Sequence, residues 1–260
     1  MNIRFWKYQG AGNDFVIIDN RKMWFDSNNI SLIKFLCDRC FGVGSDGLML
    51  LQNHKDYDFE MLYFNSDGPE ASMCGNGGRC IVSFAKKLGI IQTNTTFMAV
   101  DGLHKAVVES DQQVNLKMID VSSFENISDD YFLDTGSPHY VRFIEEIDSL
   151  DVYSEGRKIR YNDRFKETGT NVNFTKLGKN ELTVYTYERG VENETLACGT
   201  GITAAALCAA IKTGIDKGEF KVKAKGGNLS VLFEKEGNGF KNVWLKGPAT
   251  FVFEGEIEVD

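Results

Sequence analysis

Two short stretches of this chain place a cysteine directly before a glycine-rich run: "MCGNGGRC" around Cys74 and "ACGTG" around Cys198. A thiol makes a useful acid–base group. Its ordinary pKa of roughly 8.5 falls readily at a helix N-terminus, where the helix dipole favours the thiolate. The glycines that follow let backbone N–H groups point at a bound anion. Taken singly, either stretch also reads as a turn beside a buried cysteine.

Two matched acid–base groups suit inversion at a carbon that bears an acidic hydrogen. One base removes the proton from one face and a conjugate acid returns a proton to the other. On this reading Cys74 and Cys198 are the catalytic pair. The N–H groups of Gly75, Asn76, Gly199 and Thr200 would hold the substrate carboxylate and the charge spreading onto it. Glu188 and Arg189, in "YERG", suit the ammonium and carboxylate of an amino acid, although an adjacent Glu-Arg is equally a solvated surface pair. Asn13 and Asn65 lie in Gly-rich turns, where Asn is common whatever the function. His139 is either a core or strand-end histidine or a group that poises a thiol.

The elements that must position these residues are arranged as a repeat. Cys198 lies 124 positions after Cys74, and Gly199 and Gly201 keep that offset from Gly75 and Gly77. The same offset puts Gly12 on Gly136 and Asn13 opposite Ser137, Gly47 on Asn171, and Asn65 on Arg189. Four segments align in order, as an old internal duplication would leave them. Alternating stretches such as "YDFEMLYF", "LTVYTY", "LSVLF" and "TFVFEGEI" predict half-buried strands. Helices are expected over about 30–40, 76–88 and 199–213, the last apolar nearly all round and hence buried. The expected fold is α/β (α+β): two pseudo-symmetric domains, each a curved, largely antiparallel sheet around a central helix, with the active site at the domain interface. The boundary is expected near residue 115, giving domains over 1–115 and 116–248.

Composition narrows the partners. The chain has 260 residues, 42 % hydrophobic and 25 % charged, with a net charge of −8, so nucleic acid is an unfavourable partner. No apolar run approaches the ~18–20 residues that span a bilayer. The opening "MNIRFWKYQG" lacks a signal pattern, which points to the cytoplasm and to reduced cysteines. Cys37 and Cys40, in "CDRC", have half the spacing of a zinc site without a second ligand pair, so no metal is expected and both are read as packing along a helix.

The longer motifs "GAGNDFV", "FNSDGPEASMCGNGGRC", "SPHYV", "NVNF", "YERGVENETLACGTG" and "GPATFVFEGEIEV" resemble those of the diaminopimelate epimerases. The resemblance runs through nearly the whole chain in order. It implies an enzyme that uses neither pyridoxal phosphate nor metal and interconverts LL- and meso-diaminopimelate for lysine and peptidoglycan synthesis. It implies that Cys74 and Cys198 are the thiols and that Gly75, Asn76, Gly199 and Thr200 bind the carboxylate. Asn13, Asn65, Asn171, Glu188 and Arg189 would hold the substrate. It further implies a homodimer, and a C-terminal strand, about 249–260, returning to the first domain. Ser137 stands where the family often has Asn, and Gly47 where some members have Gln. The alternatives are a proline racemase or hydroxyproline epimerase, whose first Cys-Gly is typically followed by His rather than Asn76, and a non-catalytic amino-acid-binding protein on the same scaffold.

Overall fold

The computed structural model describes residues 1–110, 112–179 and 181–259. In chain order its elements begin with β1 (Asn2–Gly10), β2 (Asn13–Asp19), α1 (Ile30–Cys37), β3 (Gly47–Gln52), β4 (Glu60–Asn65), α2 (Gly75–Lys87), β5 (Asn94–Ala99), β6 (Gly102–Ser110) and β7 (Gln113–Lys117). There follow β8 (Phe124–Ile127), β9 (Asp130–Asp134), β10 (Pro138–Phe143), α3 (Val152–Arg160), β11 (Asn171–Leu177), β12 (Glu181–Glu188) and β13 (Asn193–Thr195). The last are α4 (Gly199–Thr213), β14 (Lys217–Ala224), β15 (Gly227–Glu236), β16 (Gly239–Pro248) and β17 (Thr250–Glu258). The chain divides into two units, Met1–Leu116 with Gly247–Asp260, and Lys117–Lys246.

In the first unit, Phe15, Val16, Ile17 and Ile18 of β2 are all fully buried. Four apolar residues in a row, without alternation, mark a strand covered on both faces. Val16 and Ile18 pack with Ile33 and Leu36 of α1 and with Leu48 and Leu50 of β3. Side chains alternate along a strand, so Phe15 turns the other way, and it lies with Met49 against Gly77 of α2. β2 runs parallel to β3 and antiparallel to β1, whose other edge takes β17. The sheet is thus mostly antiparallel, with parallel pairs at β2–β3 and β4–β5.

The second unit repeats the plan. Val172 and Phe174 of β11 pack with Val152 and Ile159 of α3, while Asn173 between them faces Gly201 of α4. The 124-residue offset holds in the hydrogen-bonded register itself. Phe15–Gly47 through Asp19–Leu51 in the β2–β3 ladder become His139–Asn171 through Phe143–Thr175 in the β10–β11 ladder. Helix α4 is buried from Gly201 to Ala210 and ends at Gly214, whose φ of +70° forms the left-handed cap.

Two expectations need correction. α1 stops at Cys37 rather than near 40, because the Asp38 carboxylate takes the N–H groups of Cys40 (2.7 Å) and Phe41 (2.8 Å) and turns the chain out of the helix. Cys37 and Cys40 therefore do not share a helix: Cys37 is buried and Cys40 exposed. α3 was not anticipated. Its sequence, "VYSEGRKIR", buries only Val152, Gly156 and Ile159, too sparse an apolar stripe to read without its partner sheet.

Candidate active site

Six thiols are present, and their surroundings separate them. Burial pushes Cys80 up to about 12 and Cys208 well above the ordinary thiol range, and also raises Cys37, so these stay protonated. Cys74 and Cys198 differ from the rest in local structure. Each is the N-cap of a helix with extended backbone (φ −87°, ψ 133° and φ −103°, ψ 112°), and neither side chain makes a capping bond. The carbonyls of Cys74 and Cys198 receive the N–H groups of Gly78 and Ile202 at 2.7 and 2.9 Å, one turn on. Both thiols thus stand where the first N–H groups of a helix lack intrahelical partners and the dipole favours negative charge.

In the first unit, Cys74 Sγ lies 3.6 Å from Asn13 Oδ1, which also accepts from Asn76 Nδ2 at 3.3 Å. Asn13 is presented by a tight turn in which Ala11 and Gly12 have φ of 52° and 84°. Its Nδ2 donates to Asp46 at 2.6 Å, and Arg39 binds both Asp46 and Asp14 at 2.7 Å. Asn65 ends β4 with an exposed side chain. Gly47 has no room for a side chain: a Cβ there would stand 2.6 Å from the Phe64 carbonyl oxygen.

In the second unit, Cys198 Sγ lies 3.4 Å from Thr200 Oγ1, and the Thr200 carbonyl accepts from Thr135 at 2.9 Å. Asn171 is a junction. Its Nδ2 donates to Ser137 Oγ (2.8 Å) and to the Pro138 carbonyl (3.1 Å), and its Oδ1 accepts from the Arg189 N–H (2.9 Å). The Arg189 guanidinium is exposed and donates to the Thr168 carbonyl at 3.0 Å. Burial raises the Glu188 carboxyl, against a 2.9 Å bond from Thr195. Ser137, Asn171, Glu188 and Arg189 are therefore linked or adjacent in this unit, and Asn13, Asn76 and Cys74 in the other.

His139 is fully buried and rests on a residue the sequence reading passed over. Asn173 Nδ2 reaches His139 Nδ1 at 3.0 Å and the Tyr140 carbonyl at 3.1 Å, while Asn173 Oδ1 accepts from Thr186 at 2.9 Å. A carbonyl only accepts, so the Tyr140 oxygen orients the amide with Nδ2 towards the imidazole. His139 Nδ1 then accepts, and the ring is the neutral Nε2–H form. Burial and the positive charge of Arg189 hold its pKa at about 3, below the ordinary ~6.5. A depressed pKa means that its contribution to stability is full above ~6.5 and fades as pH falls towards 3. The urea midpoint of the wild type is therefore expected to fall between pH 6.5 and 5, where most carboxylates remain charged, and His139→Gln should flatten that slope. An unchanged slope in the variant would show that His139 is not buried neutral.

Among the described residues, no three His, Cys, Asp or Glu side chains gather closely enough to hold a metal ion. No helix there is long and apolar enough to cross a membrane. A cavity of about 630 Å³ in the first unit, lined by Arg4, Trp6, Arg21 and Trp24 among others, contains none of the candidate residues.

The family model described as diaminopimelate epimerase matches residues 5–122 and 131–252. The diaminopimelate epimerase of Flavobacterium psychrophilum is 49 % identical over 98 % of this chain and 100 % of its own. That of Aquifex aeolicus is 38 % identical over 98 % of each. Among solved structures, a phenazine biosynthesis protein of the PhzF family from Bacillus anthracis covers all of both chains with a TM-score of 0.75 at 13 % identity. A hydroxyproline epimerase from Agrobacterium vitis aligns with 98 % of this chain and 91 % of its own, with a TM-score of 0.69 at 14 % identity. At such identities these two likenesses speak for the fold alone, a pseudo-symmetric two-domain α+β architecture.

Proposed function

Because the chain belongs to the diaminopimelate epimerase family, we propose that it inverts one α-carbon of 2,6-diaminopimelate, interconverting the LL and meso forms, with Cys74 and Cys198 as its two acid–base groups. The observation that carries this reading is the paired N-cap placement of the two thiols on α2 and α4, one in each unit at the same repeat position. A thiolate removes the α-proton, and the other thiol delivers its own proton to the opposite face. In the reverse direction their roles exchange. The N–H groups of Gly75, Asn76, Gly199 and Thr200 hold the α-carboxylate, where negative charge grows as the proton leaves. Asn13, Asn65, Asn171, Glu188 and Arg189 hold the remaining polar groups, Arg189 being suited to a carboxylate and Glu188 to an ammonium. Ser137 acts through its bond to Asn171. The chemistry moves only protons, so the reading needs neither pyridoxal phosphate nor a metal, and it places the enzyme in the cytoplasm, where both thiols stay reduced.

Proton NMR of LL-diaminopimelate in D₂O with the reduced protein tests this directly. Loss of the α-proton signal together with appearance of the meso isomer is expected. No exchange from folded protein with verified free thiols would remove the assignment.

We also read the enzyme as a homodimer. Phe251, Val252 and Phe253 of β17 are 39 %, 50 % and 46 % exposed, an apolar strip on a strand of the kind that pairs with another chain. Val252→Lys is expected to convert a dimer to monomer by light scattering. A monomeric wild type would discard this surface.

A further inference from the structure

Asn13 stands between a carboxylate and a thiol, and its amide is oriented from both sides. On one side its Nδ2 donates to Asp46 Oδ2 at 2.6 Å. A carboxylate only accepts, so the nitrogen of the amide must face it. On the other side Asn13 Oδ1 receives Asn76 Nδ2 at 3.3 Å. Asn76 is itself fixed, because its Oδ1 accepts from the Arg79 guanidinium at 2.7 Å and a guanidinium only donates. Both ends impose the same orientation, with the Asn13 oxygen turned towards α2. Cys74 Sγ lies 3.6 Å from that oxygen.

The carboxylate is held in turn. Arg39 Nη2 binds Asp46 Oδ1 and Asp14 Oδ1, each at 2.7 Å, and Lys7 binds Asp14 at 2.6 Å. The backbone laces the same two segments: the Asp46 N–H donates to the Asp14 carbonyl at 3.0 Å, and the Asp14 N–H to Asp46 Oδ2 at 3.3 Å. A carbonyl oxygen beside a sulfur accepts from the thiol and disfavours the thiolate. It therefore works against the helix N-terminus, which favours the thiolate.

We infer that Asp46 is a positioning residue for Cys74: it locks the Asn13 amide with its oxygen on the sulfur, so that Cys74 keeps its proton to a higher pH than the same helix start would otherwise allow. The inference rests on the two-thiol reading above, yet the protonation of this sulfur can be read without turnover. The measurement is the pH dependence of iodoacetamide alkylation at Cys74, resolved by mass spectrometry in the Cys198→Ala protein. Arg79 and Cys80 of α2, Lys7 and Asp14 beside Asn13, and Asp101, which accepts the Met73 N–H at 3.4 Å, also surround the start of α2. They are the same in every variant, so differences between variants report on Asn13 and Asp46.

Asn13→Ala removes the oxygen and leaves the helix start, so the Cys74 midpoint is expected to fall. A rise would mean that Asn13 gives the sulfur an N–H, and would overturn the inference. Asp46→Ala frees the amide: only the longer Asn76 bond then holds it, and a thiolate can draw Nδ2 to itself. The midpoint is expected to fall by about one pH unit, a tenfold gain in thiolate fraction. Asp46→Glu, which keeps a group that only accepts, should restore most of the wild-type value.

Loss of a negative charge alone would also lower the midpoint, without involving Asn13. The double variant separates the two effects: most of the Asp46→Ala shift should vanish when residue 13 is already alanine. An equal shift in both backgrounds, or none from a folded Asp46→Ala protein, would overturn the inference. Should that variant not fold, the sign of the Asn13→Ala shift still decides. The expected shifts in a protein that does not turn over diaminopimelate would support the orientation and count against the substrate alone.

Discussion

Cys74→Ala and Cys198→Ala are each expected to slow epimerisation by on the order of 10²–10⁴-fold, the usual contribution of one positioned acid–base group. Neither change should unfold the protein. Both cysteines sit at N-caps with extended backbone, which alanine adopts, and neither side chain makes a capping bond to lose. The loss should therefore appear in kcat with an unchanged circular dichroism spectrum. The variants should also differ in kind. Each retains one thiol, so each can still exchange solvent deuterium into the isomer that presents its α-proton to that sulfur. Proton NMR of LL- and meso-diaminopimelate, run separately with each variant, resolves this. Complementary residual exchange supports one thiol per face, and near-wild-type turnover by either variant would remove that cysteine from the reaction.

The second large effect is expected at a residue that touches no substrate. Gly201→Ala would bring a Cβ to 2.3 Å from Asn173 Oδ1 and 3.3 Å from Thr186 Oγ1. Asn173 cannot swing aside cheaply, because its amide holds His139, the Tyr140 carbonyl and Thr186 at once. Either that buried network breaks or the first turn of α4 lifts. Overpacking of this sort costs about 1–3 kcal/mol, and lifting the turn would displace Cys198, Gly199 and Thr200 together. A misplacement near 1 Å can cost about 10²-fold in rate, so activity should fall further than stability alone explains. Urea unfolding beside kcat measures both. Wild-type values in the variant would show that α4 and Asn173 are not in contact. Asn173→Ser combined with Gly201→Ala should recover part of the rate, since the shorter side chain leaves space for the methyl.

What was legible in the sequence was whatever announces itself locally or by spacing. The Cys198-Gly199 start and the stop at Gly214 mark the ends of α4, and the common offset, read from aligned segments with no pairing predicted, reappears in the β2–β3 and β10–β11 registers. The contents of α3 were not legible, because a helix that buries three residues of nine is defined by the sheet beneath it. Asn173 was passed over for a related reason. It sits mid-strand in "NVNF", where the alternation reads Asn as the solvent side, and only the glycine helix laid across it turns that position into a buried junction. Gly78 and Gly201 also serve packing, which the motifs do not reveal: a Cβ would stand 2.7 Å from Met73 Sδ at the first and 2.3 Å from Asn173 Oδ1 at the second.

The pairing of β17 with β1 has a consequence for how the protein is made. Asn2 faces Glu258 across that ladder, and residues 247–260 belong to the same unit as the N-terminus. On the ribosome, the second unit therefore has all its residues available while the first, although synthesised earlier, still lacks an edge. Translation order and assembly order are inverted. A chain stalled or clipped before Gly247 leaves β1 with an open side, Asn2–Gly10, to be filled by whatever strand arrives first.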